Sequence, residues 1–275
     1  MRSELCIHDL STGETSVLLT HGGIIEAPNW HADGFLLVNG EGRLFRVPLD
    51  APALEEVSTG SVRGLNNDHG LSPDGRTVAI SAHDADRKSC IFLMPLEGGE
   101  PRRVTPEVPS WWHGWSPDGS RLAYVGARPA GAPILLYTCA LDGTDEVLLA
   151  GDFDHIDGPD YTPDGAWIWF NGERAGQVDL WRVRPDGTDL ERMTEGDTVD
   201  WFPHPSPDGR QVLYLAFPPG TKGHPANLDV ALRLMPAEGG TGREVLRLHG
   251  GQGTINVPCW APDGQCFAFM RFAPE

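Results

Sequence analysis

The sequence repeats one short phrase six times, an apolar or aromatic residue followed by Ser-Pro-Asp-Gly or a close variant of it. The closing glycines of successive copies lie 41, 44, 46, 44 and 55 residues apart. A repeat in the forties matches the length of one propeller blade, so this spacing restricts the fold more than any other feature of the chain. The six copies occupy residues 30–34, 71–75, 115–119, 161–165, 205–209 and 260–264.

Each repeat contains short apolar runs that are separated by turn residues. In the third copy, the turn at 117–120 is followed by runs at 121–125 and 134–139, and a second turn at 141–144 precedes a run at 146–149. Runs of this length between Gly, Pro and Asp signals are typical of an antiparallel meander. We therefore predict an all-β fold, a six-bladed β-propeller with four antiparallel strands in each blade.

The first and last segments of the sequence each supply part of a blade. Residues 254–275 contain one phrase and the strands beside it, whereas residues 1–20 contain two strand-like runs and no phrase. Pairing of the two segments would close the ring and remove the open sheet edges of an unclosed array. We expect residues 1–20 to complete the blade begun by 254–275, within a single propeller domain that spans 1–275.

The aspartate of the repeated phrase is interpreted as a structural residue. Proline presets the backbone angle φ, the aspartate side chain accepts hydrogen bonds from its own turn, and glycine adopts positive φ. The serine of the phrase is interpreted in the same way, because the chain contains no Gly-x-Ser-x-Gly nucleophile motif. The phrase therefore predicts six turns and no catalytic group.

The composition argues against several classes of partner. The chain has 21 Lys and Arg residues against 39 Asp and Glu residues, a net charge of −18, which is unfavourable for binding nucleic acid. No apolar run approaches the roughly 18 residues of a membrane span, and the first residues lack the pattern of a secretory signal. The five cysteines show no Cys-x-x-Cys spacing and are predicted to be reduced thiols. We expect a cytoplasmic protein that neither binds nucleic acid nor inserts into membranes.

The repeated phrase, followed by an apolar strand as in residues 115–124, resembles the WD40-like repeat of the TolB propeller family. Related phrases occur in the propellers of prolyl-oligopeptidase-type enzymes and of oligogalacturonate lyase. The resemblance covers essentially the whole chain and implies a TolB-like six-bladed propeller. TolB also carries a separate N-terminal α/β domain, which we do not expect here because the repeats occupy the sequence.

The segments that precede each phrase, here called the lead-in loops, are where the repeats differ. Alignment on the turn glycine places His69 and His113 in one register, with His204 displaced by one residue. A second register, eight residues before the glycine, carries acids and amides. A propeller gathers these loops at one end of its channel, here called the mouth. The candidate ligand-binding residues at the mouth are Glu26, Asn67, His69, His113, Asp157, Arg174, His204, Gln252 and Asn256.

Three interpretations of these residues remain open. Polar groups in a propeller channel can hold water and connect neighbouring blades. Together with nearby aromatic residues they can form a site for a small molecule or peptide. Alternatively, His69, His113 and His204 supply ligands for a divalent metal, Zn²⁺, Mn²⁺ or Ca²⁺, which is the one cofactor that the residues suggest. The insertion at 218–229, which explains the 55-residue spacing, is expected to fold over the mouth.

The sequence therefore predicts a non-enzymatic binding or scaffolding propeller, whose partner at the mouth is a protein, a peptide or a small ligand. The alternative is a metal-dependent carbohydrate-active enzyme that resembles oligogalacturonate lyase. In that reading a bound metal would acidify a C–H bond of the sugar, and His155 or Arg174 would remove the proton.

Overall fold

The structure is a computed structural model that describes residues 1–129 and 131–273. Within these residues, 23 strands form six antiparallel sheets, five with four strands and one with three strands and an isolated bridge, which confirms the prediction of an all-β propeller with six blades built on a four-stranded plan. No helix in this part of the chain is long and apolar enough to cross a membrane.

The first three blades each contain four strands in sequence order. Blade one comprises β3 (Glu26–His31), β4 (Phe35–Gly40), β5 (Arg43–Pro48) and β6 (Glu55–Val57). Blade two comprises β7 (Leu65–Leu71), β8 (Thr77–His83), β9 (Ser89–Pro95) and β10 (Arg102–Arg103), and blade three comprises β11 (Ser110–Trp115), β12 (Arg121–Ala127), β13 (Ile134–Ala140) and β14 (Val147–Ala150).

The remaining blades follow the same plan, and the first strand of each lies nearest the channel. Blades four and five comprise β15 (His155–Tyr161), β16 (Ile168–Arg174), β17 (Gln177–Val183), β18 (Glu191–Arg192); and β19 (Val199–Pro205), β20 (Gln211–Phe217), β21 (Ala226–Pro236), β22 (Arg243–Gly251). Blade six comprises β23 (Cys266–Ala273), β1 (Arg2–Asp9) and β2 (Thr15–His21).

The sixth blade joins the two ends of the sequence. Strand β1 pairs antiparallel with β23 over its whole length, beginning with Arg2 opposite Ala273. The innermost strand of this blade is reduced to one bridge between Trp260 and Phe267. Segment 254–275 is described as far as residue 273. The ring is therefore closed by strands that lie more than 250 residues apart in sequence.

The Ser-Pro-Asp-Gly turns are held by their own side chains. In the third copy, the Ser116 hydroxyl donates to Asp118 Oδ1 at 2.6 Å, and the Ser120 backbone N–H donates to the same oxygen at 3.0 Å. The Arg121 N–H donates to Ser116 Oγ at 2.9 Å, which starts the next strand. Gly119 adopts a φ of 70°, a conformation that favours glycine. These contacts lower the pKa of Asp118 to about 2, so the aspartate acts as a structural anion.

Large aromatic side chains connect neighbouring blades in the interior. Trp112 is buried, and a Cβ atom at residue 70 would lie 2.0 Å from its ring. The indole N–H of Trp115 donates to the Gly70 carbonyl at 3.2 Å, and that of Trp260 donates to the His204 carbonyl at 2.9 Å. The glycine at position 70 is therefore required for the close approach of blades two and three.

The cysteines occupy the interior of the sheets rather than a disulfide framework. Cys6, Cys90, Cys139 and Cys259 are buried and Cys266 is partly buried, and all are free thiols. Burial raises the pKa of the Cys90 thiol to about 11, so that it stays protonated at neutral pH. The prediction of reduced thiols agrees with this arrangement.

Candidate functional site

Each of the inner strands β3, β7, β11, β15 and β19 contains an irregularity near the mouth. A bulge of this kind bends the strand and turns a side chain away from its regular direction. In β15, Gly158 adopts a φ of 58° and its N–H donates to Asp157 Oδ1 at 2.9 Å. A Cβ atom on Gly158 would lie 2.9 Å from the Phe202 ring. The glycine therefore helps to fix the position of the Asp157 carboxylate.

A cavity of about 300 Å³ opens at the mouth. This volume lies at the lower end of the range of small-molecule sites. One wall is apolar, and the remaining surface carries carboxyl, amide and imidazole groups. The cavity is lined by Asn66, Asn67, Asp68, Trp111, Val125, Ile134, His155, Asp157, His224, Gln252 and Asn256.

Asp157 forms an ion pair with a buried histidine. His113 Nε2 lies 2.8 Å from Asp157 Oδ1, and His224 Nε2 lies 3.5 Å from Oδ2. Burial opposes the charge on Asp157, but attraction to His113 outweighs burial and holds the pKa of Asp157 below its usual range. Burial also opposes the charge on His113, whereas Asp157 and Asp68 together raise the pKa of His113. Each member of the pair therefore favours the charged form of the other.

Asp68 is a second carboxyl group in the cavity, and its pKa is shifted in the opposite direction from that of Asp157. It is almost completely buried, and burial raises its pKa from the usual 3.8 to about 7. The charges of Asp157 and Glu26 add to this increase, while that of His113 opposes it. The Asn66 side-chain amide donates to Asp68 Oδ2 at 2.8 Å. Asp68 is consequently close to half ionised at neutral pH.

The insertion at 218–229 contributes His224 to the cavity, in agreement with its expected position over the mouth. Its ring centroid lies 4.4 Å from that of Trp201, and its Nδ1 atom is hydrogen-bonded to Gln252 Oε1. Burial lowers the pKa of His224, although Asp157 opposes the decrease. The imidazole is therefore neutral at pH 7 and closes one side of the cavity.

Six of the nine candidate residues gather at this cavity. Four of them line it: Asn67, Asp157, Gln252 and Asn256. His113 lies directly behind Asp157, and Glu26 is close enough to influence the pKa of Asp68. Three of the candidates that line it, Asn67, Asp157 and Asn256, come from the register eight residues before the turn glycine.

His69 and His204 lie deeper in the channel and do not reach the cavity. His204 Nε2 lies 2.7 Å from the Ile255 carbonyl oxygen, and Nδ1 lies 3.0 Å from Asp160 Oδ2. His69 is fully buried, and burial lowers its pKa to about 4. These histidines are therefore parts of the interior packing.

The three histidines proposed as metal ligands are not brought together. Because His204 has both ring nitrogens hydrogen-bonded and His113 directs Nε2 at Asp157, neither presents that nitrogen to an ion. Within 1–129 and 131–273, no group of three or more His, Cys, Asp or Glu residues is arranged to hold a metal ion. The geometry thus departs from the metal-site expectation, because Asp160 and the Ile255 carbonyl engage the ring of His204 and Asp157 engages that of His113.

Arg174 also departs from its expected position. Its guanidinium group lies over the rings of Phe153 and Trp181, at 4.0 and 4.5 Å from their centroids. Its Nε–H donates to the Asp152 carbonyl at 2.7 Å. Arg174 therefore stacks on the outer part of blade four and is not among the residues that line the mouth cavity.

Replacement of Asp68 by asparagine is expected to stabilise the protein at high pH. The raised pKa means that the folded state binds a proton more tightly than the unfolded state. This contribution is complete below the unfolded pKa of 3.8 and is lost as the pH rises through about 7. At pH 8 the D68N variant should gain up to about 4 kcal/mol of unfolding free energy relative to the parent protein.

Urea unfolding between pH 4 and pH 8 measures this effect, with D33N as the matched control. Asp33 is 83% exposed on the turn face, so its replacement removes the same charge without relieving burial. Parallel pH profiles for D68N and the parent protein would contradict the buried, protonated state of Asp68.

Comparison with known proteins supports the fold over the complete chain. The uncharacterized protein Atu1656 of Agrobacterium fabrum is 45% identical over 276 residues, a match that covers 100% of this chain and 94% of that protein. A solved structure from Agrobacterium tumefaciens, provisionally assigned as TolB, has a TM-score of 0.97 at 44% identity and covers 100% of this chain and 99% of its own. The chain belongs to this family of TolB-like β-propellers. No family model matches it.

More distant relatives share the propeller but differ in extent. TolB of Francisella tularensis is 23% identical over 266 residues. The match covers 94% of this TolB-like propeller and 59% of that protein. An oligogalacturonate lyase in complex with manganese has a TM-score of 0.57 at 16% identity, covering 96% of this chain and 77% of the lyase. At this identity the likeness to the lyase shows the fold alone.

Four residues that line the cavity with a carboxyl, indole or imidazole group were not among the nine candidates: Asp68, Trp111, His155 and His224. Trp111 occupies the same register as Asp157, eight residues before its turn glycine, and it is one of the aromatic residues of the small-molecule interpretation. Asp68 follows Asn67 directly, but the sequence does not show that the bulge in β7 directs both side chains into one cavity.

Proposed function

We propose that this TolB-like propeller is a binding protein that holds a small ligand in the mouth cavity. The observation that carries the proposal is Asn67, which is 7% exposed and lines the cavity. No hydrogen bond joins its side chain to any residue within the described ranges. A buried amide without a partner destabilises a protein by about 1–3 kcal/mol, so such a group is normally satisfied by a ligand or by water.

The charge state of the neighbouring groups also favours binding. Asp157 is held as an anion by His113, and its low pKa makes it a weak proton acceptor. His224 and Gln252 are bonded to each other, which gives the rim a defined shape before a ligand arrives. A preformed polar cavity with an apolar wall is typical of small-molecule sites. Of the two bases named for the lyase alternative, His155 lines the cavity and Arg174 lies outside it. The described residues contain no group of three or more His, Cys, Asp or Glu arranged to hold the metal that this alternative requires, so the geometry favours binding.

The proposal predicts that a small polar ligand raises the melting temperature of the parent protein. Thermal shift and calorimetry would be measured with amines, polyols, sugars and carboxylates as separate classes. A ligand at 100 times its Kd stabilises the folded state by about 2.7 kcal/mol. The N67L variant should bind that ligand about tenfold more weakly, because it removes a hydrogen-bonding amide.

The matched control is Q265L, which replaces an exposed side-chain amide on the turn face by leucine. It should bind as tightly as the parent protein. Absence of any shift in all four classes up to about 10 mM, equivalent to about 3 kcal/mol of binding free energy, would contradict a small-ligand function.

A further inference from the structure

The mouth cavity is rich in hydrogen-bond acceptors and poor in fixed cations. Two carboxyl groups line it, those of Asp68 and Asp157, and none of its lining residues within the described ranges is Lys or Arg. His113 offsets the charge of Asp157, whereas no described residue forms a comparable ion pair with Asp68. The chain as a whole carries a net charge of −18, which attracts cations and repels anions.

Both carboxyl groups retain an oxygen that faces the cavity. Asp68 Oδ2 accepts from Asn66, and Oδ1 has no hydrogen-bond partner within 1–129 and 131–273. Asp157 Oδ1 faces Gly158 and His113, while Oδ2 lies 3.5 Å from His224 Nε2. A group with several N–H donors on one positive nitrogen would complete both sets of contacts.

Two buried amides provide an independent indication of a ligand. Asn67 is 7% exposed and lines the cavity without a hydrogen-bond partner in the part of the chain that the structure describes. Asn256 is 2% exposed, and its Oδ1 accepts from the Gly253 N–H at 2.7 Å. No hydrogen bond within the described residues engages its side-chain nitrogen. Amide groups that line a cavity without a protein partner are satisfied there by water or by polar atoms of a ligand.

The opposite wall of the cavity is apolar and can contact a hydrocarbon part of the ligand. Trp111, Val125 and Ile134 form it, from the inner, second and third strands of blade three. Val125 is buried, and the other two are partly exposed towards the cavity. An aromatic face beside carboxylates also attracts a cation directly.

We propose, on the basis of the binding function above, that the ligand carries a protonated amine, which Asp68 and Asp157 bind while its hydrocarbon part lies against Trp111, Val125 and Ile134. Asn67 and Asn256 bind further polar atoms of the same ligand. A carboxylate or phosphate would meet two carboxyl groups and no Lys or Arg, so anions are excluded from the cavity by charge.

Binding of an amine in this cavity is linked to release of a proton. The groups that face Asp68 are His113 from β11, Asp157 from β15, Glu26 from β3 and the Asn66 amide from its own strand. A cation beside Asp68 adds a favourable charge, lowers the pKa of Asp68 and ionises it. Affinity should therefore rise as the pH increases through about 7, the pKa of Asp68 in the free protein.

The test is calorimetry of the full chain with three probes that share one carbon skeleton: isopentylamine, isopentanol and isovalerate. The amine should bind at least about tenfold more tightly than the alcohol, and isovalerate should not bind. Titrations in buffers of different ionisation enthalpy should show proton release with the amine at pH 7. Putrescine and N-acetyl-lysine amide distinguish a free amine from a lysine of a protein partner as the natural source.

The D68N and D157N variants should each weaken amine binding by at least about tenfold, and D33N on the turn face should leave it unchanged. D68N is the decisive variant, because loss of Asp68 should not destabilise the fold, whereas D157N leaves His113 without its anion. Preference for the alcohol or isovalerate, or equal amine binding by D68N and the parent protein, would overturn the amine assignment while leaving the binding function intact. Failure of all probe classes, sugars included, would overturn both proposals.

Discussion

Removal of residues 1–20 is expected to abolish cooperative folding of the propeller. The deletion removes β1 and β2, so that β23 loses its neighbour along its whole length and blade six disappears. It also removes Leu5 and Cys6, which are fully buried against the rest of the core. An open ring would expose apolar surface and unpaired sheet edges. Thermal unfolding followed by circular dichroism should therefore show no cooperative transition.

A circular permutant provides the control for this deletion. Arg2 lies opposite Ala273, so a short linker can join the two ends, and new termini can be placed in the exposed turn at Gly239-Gly240. This protein keeps every strand and should fold, because permutation is tolerated at exposed turns. A deletion variant that melted cooperatively near the parent temperature would show that the ring does not depend on this closure.

Replacement of His204 by leucine is expected to lower the free energy of unfolding by about 3–5 kcal/mol. His204 connects three segments, because its ring contacts Asp160 and the Ile255 carbonyl while its own carbonyl accepts from the Trp260 indole. Leucine would leave the buried Asp160 carboxyl without its partner, whereas ligand binding at the mouth should stay unchanged. Urea unfolding and calorimetry on the same sample measure the two quantities.

The D160N/H204L double variant distinguishes two causes of the lost stability, an unpaired Asp160 carboxylate and the lost packing of the His204 ring. Asparagine cannot ionise, so the double variant should recover part of the stability that H204L loses. A metal-binding role for His204 would instead make H204L lower metal affinity with little change in metal-free stability. Equal stability of H204L and the parent protein would show that the contacts to Asp160 and Ile255 are dispensable.

The repeated phrase was sufficient to predict the fold because its chemistry is local. In the turns that contain serine, the serine, aspartate and glycine contact one another within five residues, as Ser116, Asp118 and Gly119 do. Closure by residues 1–20 could also be predicted, since the last repeat lacks strands, the first segment has strands without a phrase, and their pairing removes open sheet edges. The reduction of the last inner strand to one bridge at Trp260 could not, because it depends on packing between blades.

The candidate site was predicted in part, and the limit has a physical cause. The register before the turn placed Asn67, Asp157 and Asn256 at one cavity, since the turns share one geometry and equal counts back from them lead to similar heights in the channel. His113 and His204 look alike in the sequence, yet the partner of His204 lies 44 residues away and is chosen by the neighbouring blade. His224 belongs to an insertion without a register, so only the folded chain shows where it lies.

The pairing of β1 with β23 also sets an order of events during synthesis. Strand β1 leaves the ribosome more than 250 residues before its partner strand β23 has been synthesised. Contacts this distant in sequence form late, because a long segment of chain must close before they contribute. Until β23 has been translated, the growing chain exposes sheet edges that favour aggregation and recognition by chaperones. A chain that stalls before β23 therefore keeps the pairing edge of β1 exposed to chaperones, whereas in the closed ring β1 and β23 cover each other's edge.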